Sequence, residues 1–319
     1  MPEMNLQMRQ MWTLVKREFQ EYRTIFLYMP FGFALLVVFA SGNGLYRMNA
    51  EGIALITTGQ NPIATPVSGD QIIGLADTVF GRSLAVFTEI PLEMREIAVN
   101  GRLNTLTPGL FIAYWGSLYF YFILTLYQTR KDRSILFYNS MPVSDCQTVL
   151  SKLIAGMLAL PLVYLAAMLL MQVLLLMLLS GIGLAAGMGS NIFAAFWQPA
   201  APLANVLSVL LLLPLGALWT LPVYAALLLG SACARSAPFA WVAALPVAVI
   251  TMEGIVYEST RTLALLLQQS IPYWIYGGPV ARRLNDRVHD FMNLDMGLSI
   301  LIGAAFVWLA IRFNRSEDS

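Results

Sequence analysis

The sequence predicts an all-α membrane protein with six transmembrane helices and an amphipathic helix ahead of the first. Three observations predict it. Over 319 residues the composition is 58% hydrophobic and only 12% charged, with a mean hydropathy of +0.68, a balance that water-soluble domains do not show. Uncharged apolar runs recur at about 20 residues or more, the length of helix that crosses a hydrocarbon core. The cations collect on alternate sides of those runs.

Each span follows from where charges are missing. Ile25 to Tyr46 and Leu103 to Thr129 are charge-free, and Leu153 to Ala234 is an uncharged stretch long enough to cross twice. Hydrocarbon offers no partner for exposed backbone amides, so such segments must be helical. The Gly-rich segment Gly181 to Pro202 is the natural place to break the long stretch. The spans are thus expected near 25–46, 106–128, 153–180, 204–230, 237–257 and 294–313, with an outer loop over 47–104 and an inner loop over 129–152.

The tally of Lys and Arg sets the orientation. Eleven of the nineteen cations, including every lysine (Lys16, Lys131 and Lys152), fall in the segments 1–24, 129–152, 231–236 and 312–319. Cations are retained on the cytoplasmic side, so both termini are expected inside. Residues 1–24 carry Glu3, Glu18 and Glu21 and do not resemble the short basic start of a secretory signal. Met4, Met8, Met11, Val15, Phe19 and Tyr22 recur every three or four residues, placing an apolar stripe opposite Arg9, Lys16, Arg17 and Glu18. The helix they form is expected to lie along the membrane surface.

Several function classes are excluded at this level. A net charge of +1 gives no basic field to recruit nucleic acid. Cys146 and Cys233 are placed at the reducing, cytoplasmic face, where a disulfide is not expected. The single histidine, His289, falls in an outer loop, and no spacing of His, Cys, Asp or Glu suits a metal. Gly181, Gly183, Gly187 and Gly189 lack the Gly-Lys-Ser/Thr ending of a phosphate-binding loop, and no strand precedes them. No enzyme activity and no bound cofactor or metal are therefore expected of this chain. Pro161, Pro214, Pro222 and Pro246 lie in or near spans, where each frees a carbonyl. Apart from Asp295 at the edge of the last, Glu253 is the one acid inside an expected span; it lies four residues before Tyr257, where it could instead snorkel to the outer interface or cap the turn, and these two are the candidates for an outer gate.

The inner loop carries the most information. Its charged start, Arg130 to Arg133, leads to Ile135, Leu136, Phe137 and Tyr138 and then a Ser-Met-Pro turn. Ser144 and Gln147 have the spacing of a capping box, and Asp145 suits the first turn of a helix, so a new helix is expected to start there. Bulky apolar side chains next to charges suit a docking surface, although the chain's own helices or the lipid interface could cover Phe137 and Tyr138 equally well.

The sequence resembles the ABC-2 type transporter permeases. The likeness is carried by Trp12-Thr-Leu-Val-Lys-Arg-Glu-Phe19, by Leu136-Phe-Tyr-Asn-Ser-Met-Pro-Val-Ser144 with Val149-Leu-Ser-Lys152, and by the six-span plan. The resemblance implies a permease subunit, a homodimer or heterodimer, in a bacterial inner membrane, driven by cytoplasmic ATPase partners that bind the ATP and Mg. It implies that the 129–152 loop is a coupling helix docking on the ATPase through Arg133, Leu136, Phe137, Tyr138, Met141 and Pro142. Residues 1–24 would be the connecting helix. It also implies short re-entrant helices between spans five and six, for which Thr262–Leu267 and Ile271–Tyr276, each too short to span, are suited. The long first outer loop departs from the family pattern, and 70–87 is expected to form a helical lid. That loop leaves two other readings open: a subunit transmitting motion to a periplasmic partner, and, on Glu253 alone, an ion-coupled carrier.

Overall fold

The computed structural model describes residues 2–57, 87, 89–131, 144–185, 189, 191–234, 239 and 294–316, and among them every regular element is helical. In chain order these are α1 (Pro2–Glu21), α2 (Met29–Thr57), α3 (Leu92–Thr105), α4 (Thr107–Lys131), α5 (Asp145–Ile154), α6 (Leu160–Ala185), α7 (Pro202–Cys233) and α8 (Leu294–Ser316). Among the described residues, five helical stretches are long and apolar enough to cross a membrane: Thr24–Gly44, Leu92–Thr129, Cys146–Ala185, Phe193–Cys233 and Met296–Phe313. The expected span at 237–257 and both expected re-entrant segments lie outside the described residues. The stretch read as a first outer loop is helical at both ends, since α2 runs on to Thr57 and α3 starts at Leu92. The lid expected over 70–87 lies outside the described residues except for Phe87.

Among the described residues, three short π-helical turns interrupt the helices, at Thr24–Tyr28, Ala155–Ala159 and Phe193–Trp197. Their cause is legible in the chain: Pro30, Pro161 and Pro199 each follow two residues after a turn. Proline donates no N–H, and its ring crowds the carbonyl four residues back. In each case the residue just before the proline instead donates five residues back: Met29 to Thr24, Leu160 to Ala155 and Gln198 to Phe193. The wider turn makes room for the ring. Pro214 and Pro222, by contrast, sit inside the unbroken helix α7.

The chain divides into two compact units. The first comprises Met1–Pro30, Phe111–Leu165 and Ser208–Ser319. Within it α1 and α8 both pack on α5, and α1 also touches the π turn that follows α5. Phe122 of α4 stacks on Tyr224 of α7 with ring centroids 5.3 Å apart. Gly156 lies so close to the Phe122 ring that a methyl group there would collide with it. On the far side of α7, Leu212, Leu215 and Trp219 cluster with Met296 of α8. A Cβ on Gly303 would come within 2.6 Å of Leu221, so the helix approach of α8 to α7 also depends on a missing side chain.

The second unit comprises Phe31–Leu110 and Ala166–Leu207. Here α3 is fastened to the segment ahead of α7 through its own polar side chains. Asn100 donates through Nδ2 to the Pro199 carbonyl and accepts from the Ala201 N–H, each at 2.9 Å. Arg95 donates to the Ala194 carbonyl at 2.6 Å. These bonds satisfy backbone groups that the π turn and Pro199 leave outside a helix. Trp197 adds a bond from its indole N–H to Ser180 Oγ at 2.8 Å.

Candidate functional site

Helix α5 starts where the capping-box spacing places it. The Gln147 N–H donates to Ser144 Oγ at 3.3 Å, and the Ser144 N–H donates to Gln147 Oε1 at 3.1 Å. Two N–H groups that would otherwise lack partners at a helix start are thereby satisfied. From this cap α5 runs through Val149 and Lys152 into the π turn and the long apolar helix α6. The far end of the 129–152 loop thus runs directly into the stretch Cys146–Ala185, long and apolar enough to cross a membrane, within which the π turn lies.

One turn before that junction, Lys152 is completely enclosed, with 0% of its side chain exposed. Its Nζ lies 2.6 Å from Oε1 of Glu18 on α1, whose side chain is 2% exposed. The same ammonium donates to Thr125 Oγ1 at 3.0 Å, and the Thr125 hydroxyl donates to Glu18 Oε2 at 3.2 Å. Ammonium, hydroxyl and carboxylate close a ring of three hydrogen bonds. Tyr121, one helical turn before Thr125 on α4, donates to Glu18 Oε2 at 3.0 Å, and its oxygen also lies 3.2 Å from the Lys152 carbonyl.

Aromatic rings wall off this polar knot. Tyr22 and Phe26 each meet Tyr121 edge-on, at 5.1 and 5.4 Å, and Phe19 meets Phe26 at 5.3 Å. Removing two charges from water costs several kcal/mol per ion, and a buried pair recovers this only through close geometry and further hydrogen bonds. Both conditions hold here. The pair is neutral overall, so its interior carries no net charge. Mechanically it ties three helices, α1, α4 and α5, at the root of the 129–152 loop.

This placement corrects the expected orientation of α1. Glu18 had been assigned to the solvated face, opposite the apolar stripe. Instead the buried line of α1 is Leu14, Glu18 and Tyr22. On an ideal helix that line is centred about 60° away from the stripe. The physical reason is Lys152: the chain turns α1 so that the carboxylate reaches an enclosed ammonium, since neither ion tolerates burial alone.

The docking residues expected in the loop, Arg133, Leu136, Phe137, Tyr138, Met141 and Pro142, lie outside the described residues, as do Glu253 and Tyr257 of the expected outer gate. Sequence reasoning missed the four-residue network altogether. A signal was present in the four-residue spacing of Leu14, Glu18, Tyr22 and Phe26, an acid on an otherwise apolar line. Lys152 likewise falls three residues from both Val149 and Ala155. Among the described residues, no three His, Cys, Asp or Glu side chains form a group able to hold a metal ion. No family model, curated protein or solved structure matches the chain.

Proposed function

We propose that the chain is the membrane-embedded permease subunit of an ATP-driven transporter, with ATP and Mg bound by a separate cytoplasmic ATPase. The observation that carries this reading is the buried Glu18–Lys152–Thr125–Tyr121 knot. A subunit without catalytic groups of its own must receive motion from elsewhere, and a rigid tie suits that task. Force applied to the 129–152 loop reaches α5 at its capped start. The knot shares that force with α1 and α4, and the continuous helical path through α6 carries it into the membrane. In this reading the loop is the coupling element, docking through Arg133, Leu136, Phe137, Tyr138, Met141 and Pro142. The full chain has six spans, with re-entrant segments between the fifth and sixth. It sits in a bacterial inner membrane with both termini inside and pairs with a second copy around the transport path.

The test is biochemical. Purification of the chain from its native membrane is expected to bring a Walker-motif ATPase with it. Phe137→Asp with Tyr138→Asp is expected to uncouple ATP hydrolysis from transport while the helical content stays unchanged. An intact and fully active complex bearing both changes would refute the docking claim.

A second reading, transmission of motion to a periplasmic partner, is favoured by the fastening of α3 through Arg95 and Asn100, which stiffens the segment beyond the first span. Partial deletion within 50–84 separates the two. A transmitter loses its outer partner, whereas a transporter still moves its substrate.

A further inference from the structure

The turn of α1 toward Lys152 has a consequence on the opposite side of that helix. Because the buried line is offset from the apolar stripe, one flank of the stripe is left uncovered: Met8 is 63% exposed and Trp12 is 72% exposed. Arg9 and Lys16 are exposed beside them, and Arg23 is exposed just past the end of α1. On an ideal helix Trp12 and these three cations fall within about 60° of arc.

Among the described side chains, no acid is paired with this strip. Glu18 is held inside by Lys152, and Glu21 stands on another side of the helix, 4.0 Å from Arg17. Only Tyr22 and Arg23 separate α1 from the membrane-crossing stretch, which starts at Thr24 with the π turn. Tyr28 is exposed at that entry, the level at which aromatic rings settle between headgroups and acyl chains. An exposed Trp and Met flanked by exposed cations, leading into a span, matches a negatively charged lipid surface in both charge and polarity.

We infer that the uncovered face of α1 binds anionic phospholipid headgroups: Arg9, Lys16 and Arg23 hold the phosphates while Met8 and Trp12 enter the acyl boundary. The inference rests on the membrane placement of the chain and is independent of any ATPase partner. It also gives the Glu18–Lys152 pair a second effect, since sequestering the carboxylate keeps this face cationic. Each cation near an anionic surface contributes about a fivefold preference, reduced by salt.

The test uses the full-length protein in mixed micelles containing equal amounts of phosphatidylglycerol and phosphatidylcholine, with retained lipids counted by native mass spectrometry. The wild-type protein is expected to retain phosphatidylglycerol about tenfold over phosphatidylcholine. The triple variant Arg9→Gln, Lys16→Gln, Arg23→Gln should approach parity with helicity unchanged by circular dichroism. Arg9→Lys with Arg23→Lys should keep the wild-type ratio, as should Arg102→Gln on α3. Equal retention of both lipids by the wild-type protein, or an unchanged ratio in the triple variant, overturns the inference and leaves the face to an aqueous protein partner. Erasure of the preference by inorganic phosphate, but not by sodium chloride at the same ionic strength, would overturn it in favour of a free-anion site.

Discussion

Replacing Lys152 by Met removes one member of the buried pair while keeping most of the volume in an unbranched apolar side chain. Glu18 is then left in an enclosed site with an uncompensated charge, a change that costs about 3–5 kcal/mol. The partners that remain place each single variant within that range. Without Lys152, Glu18 still accepts from Tyr121 at 3.0 Å and Thr125 at 3.2 Å, so Lys152→Met belongs near the lower end. Without Glu18, the ammonium keeps Thr125 alone among its side-chain partners, so Glu18→Leu belongs near the upper end. The double variant Glu18→Leu, Lys152→Met leaves no buried charge, and its cost should fall to about 1 kcal/mol or less, because apolar replacement of a whole buried pair is often neutral. Unfolding of the purified protein in detergent, followed by tryptophan fluorescence against increasing denaturing detergent, measures all four corners of this cycle. A coupling near zero, with the double variant as unstable as the two singles summed, would refute the account of the knot as a mutually dependent pair. So would a Lys152→Met variant as stable as wild type.

Two further outcomes follow from close packing and from the helix cap. Gly156→Ala drives a methyl into the Phe122 ring and should destabilise by about 1–3 kcal/mol; Phe122→Leu in the same chain should restore much of the loss, as read by the same denaturation. Ser144→Ala removes the acceptor for the Gln147 N–H and should cost about 1 kcal/mol of helix stability, seen as faster hydrogen exchange at Gln147 with unchanged exchange in α4.

The distribution of charge along the chain was enough to place the described spans. An unpaired charge is costly in hydrocarbon, so Thr24–Gly44 could be read directly from the absence of Asp, Glu, Lys and Arg, and Met296–Phe313 from the same absence up to Arg312 near its end. The start of α5 was legible for a local reason too, because a capping box involves residues three apart and needs no distant partner. The π turns were within reach of the same local logic: three of the prolines in this chain come two residues after one, and the missing N–H is written in the residue type. The inner-loop docking residues were read from composition and resemblance, and their test is biochemical.

The candidate site is different, because its members are far apart in the chain. Glu18 was read as solvated since a carboxylate on an amphipathic helix normally is, and Lys152 was read as a marker of membrane sidedness. Each reading is the correct default for one ion considered alone. Only the tertiary fold brings a helix from the start of the chain against α4 and α5, and only there do two costly ions become one neutral, hydrogen-bonded group. Local sequence determined where the uncharged spans lie and where α5 starts; the direction α1 faces was decided by a partner more than a hundred residues away, because the free energy of burying a charge depends on what else is buried beside it.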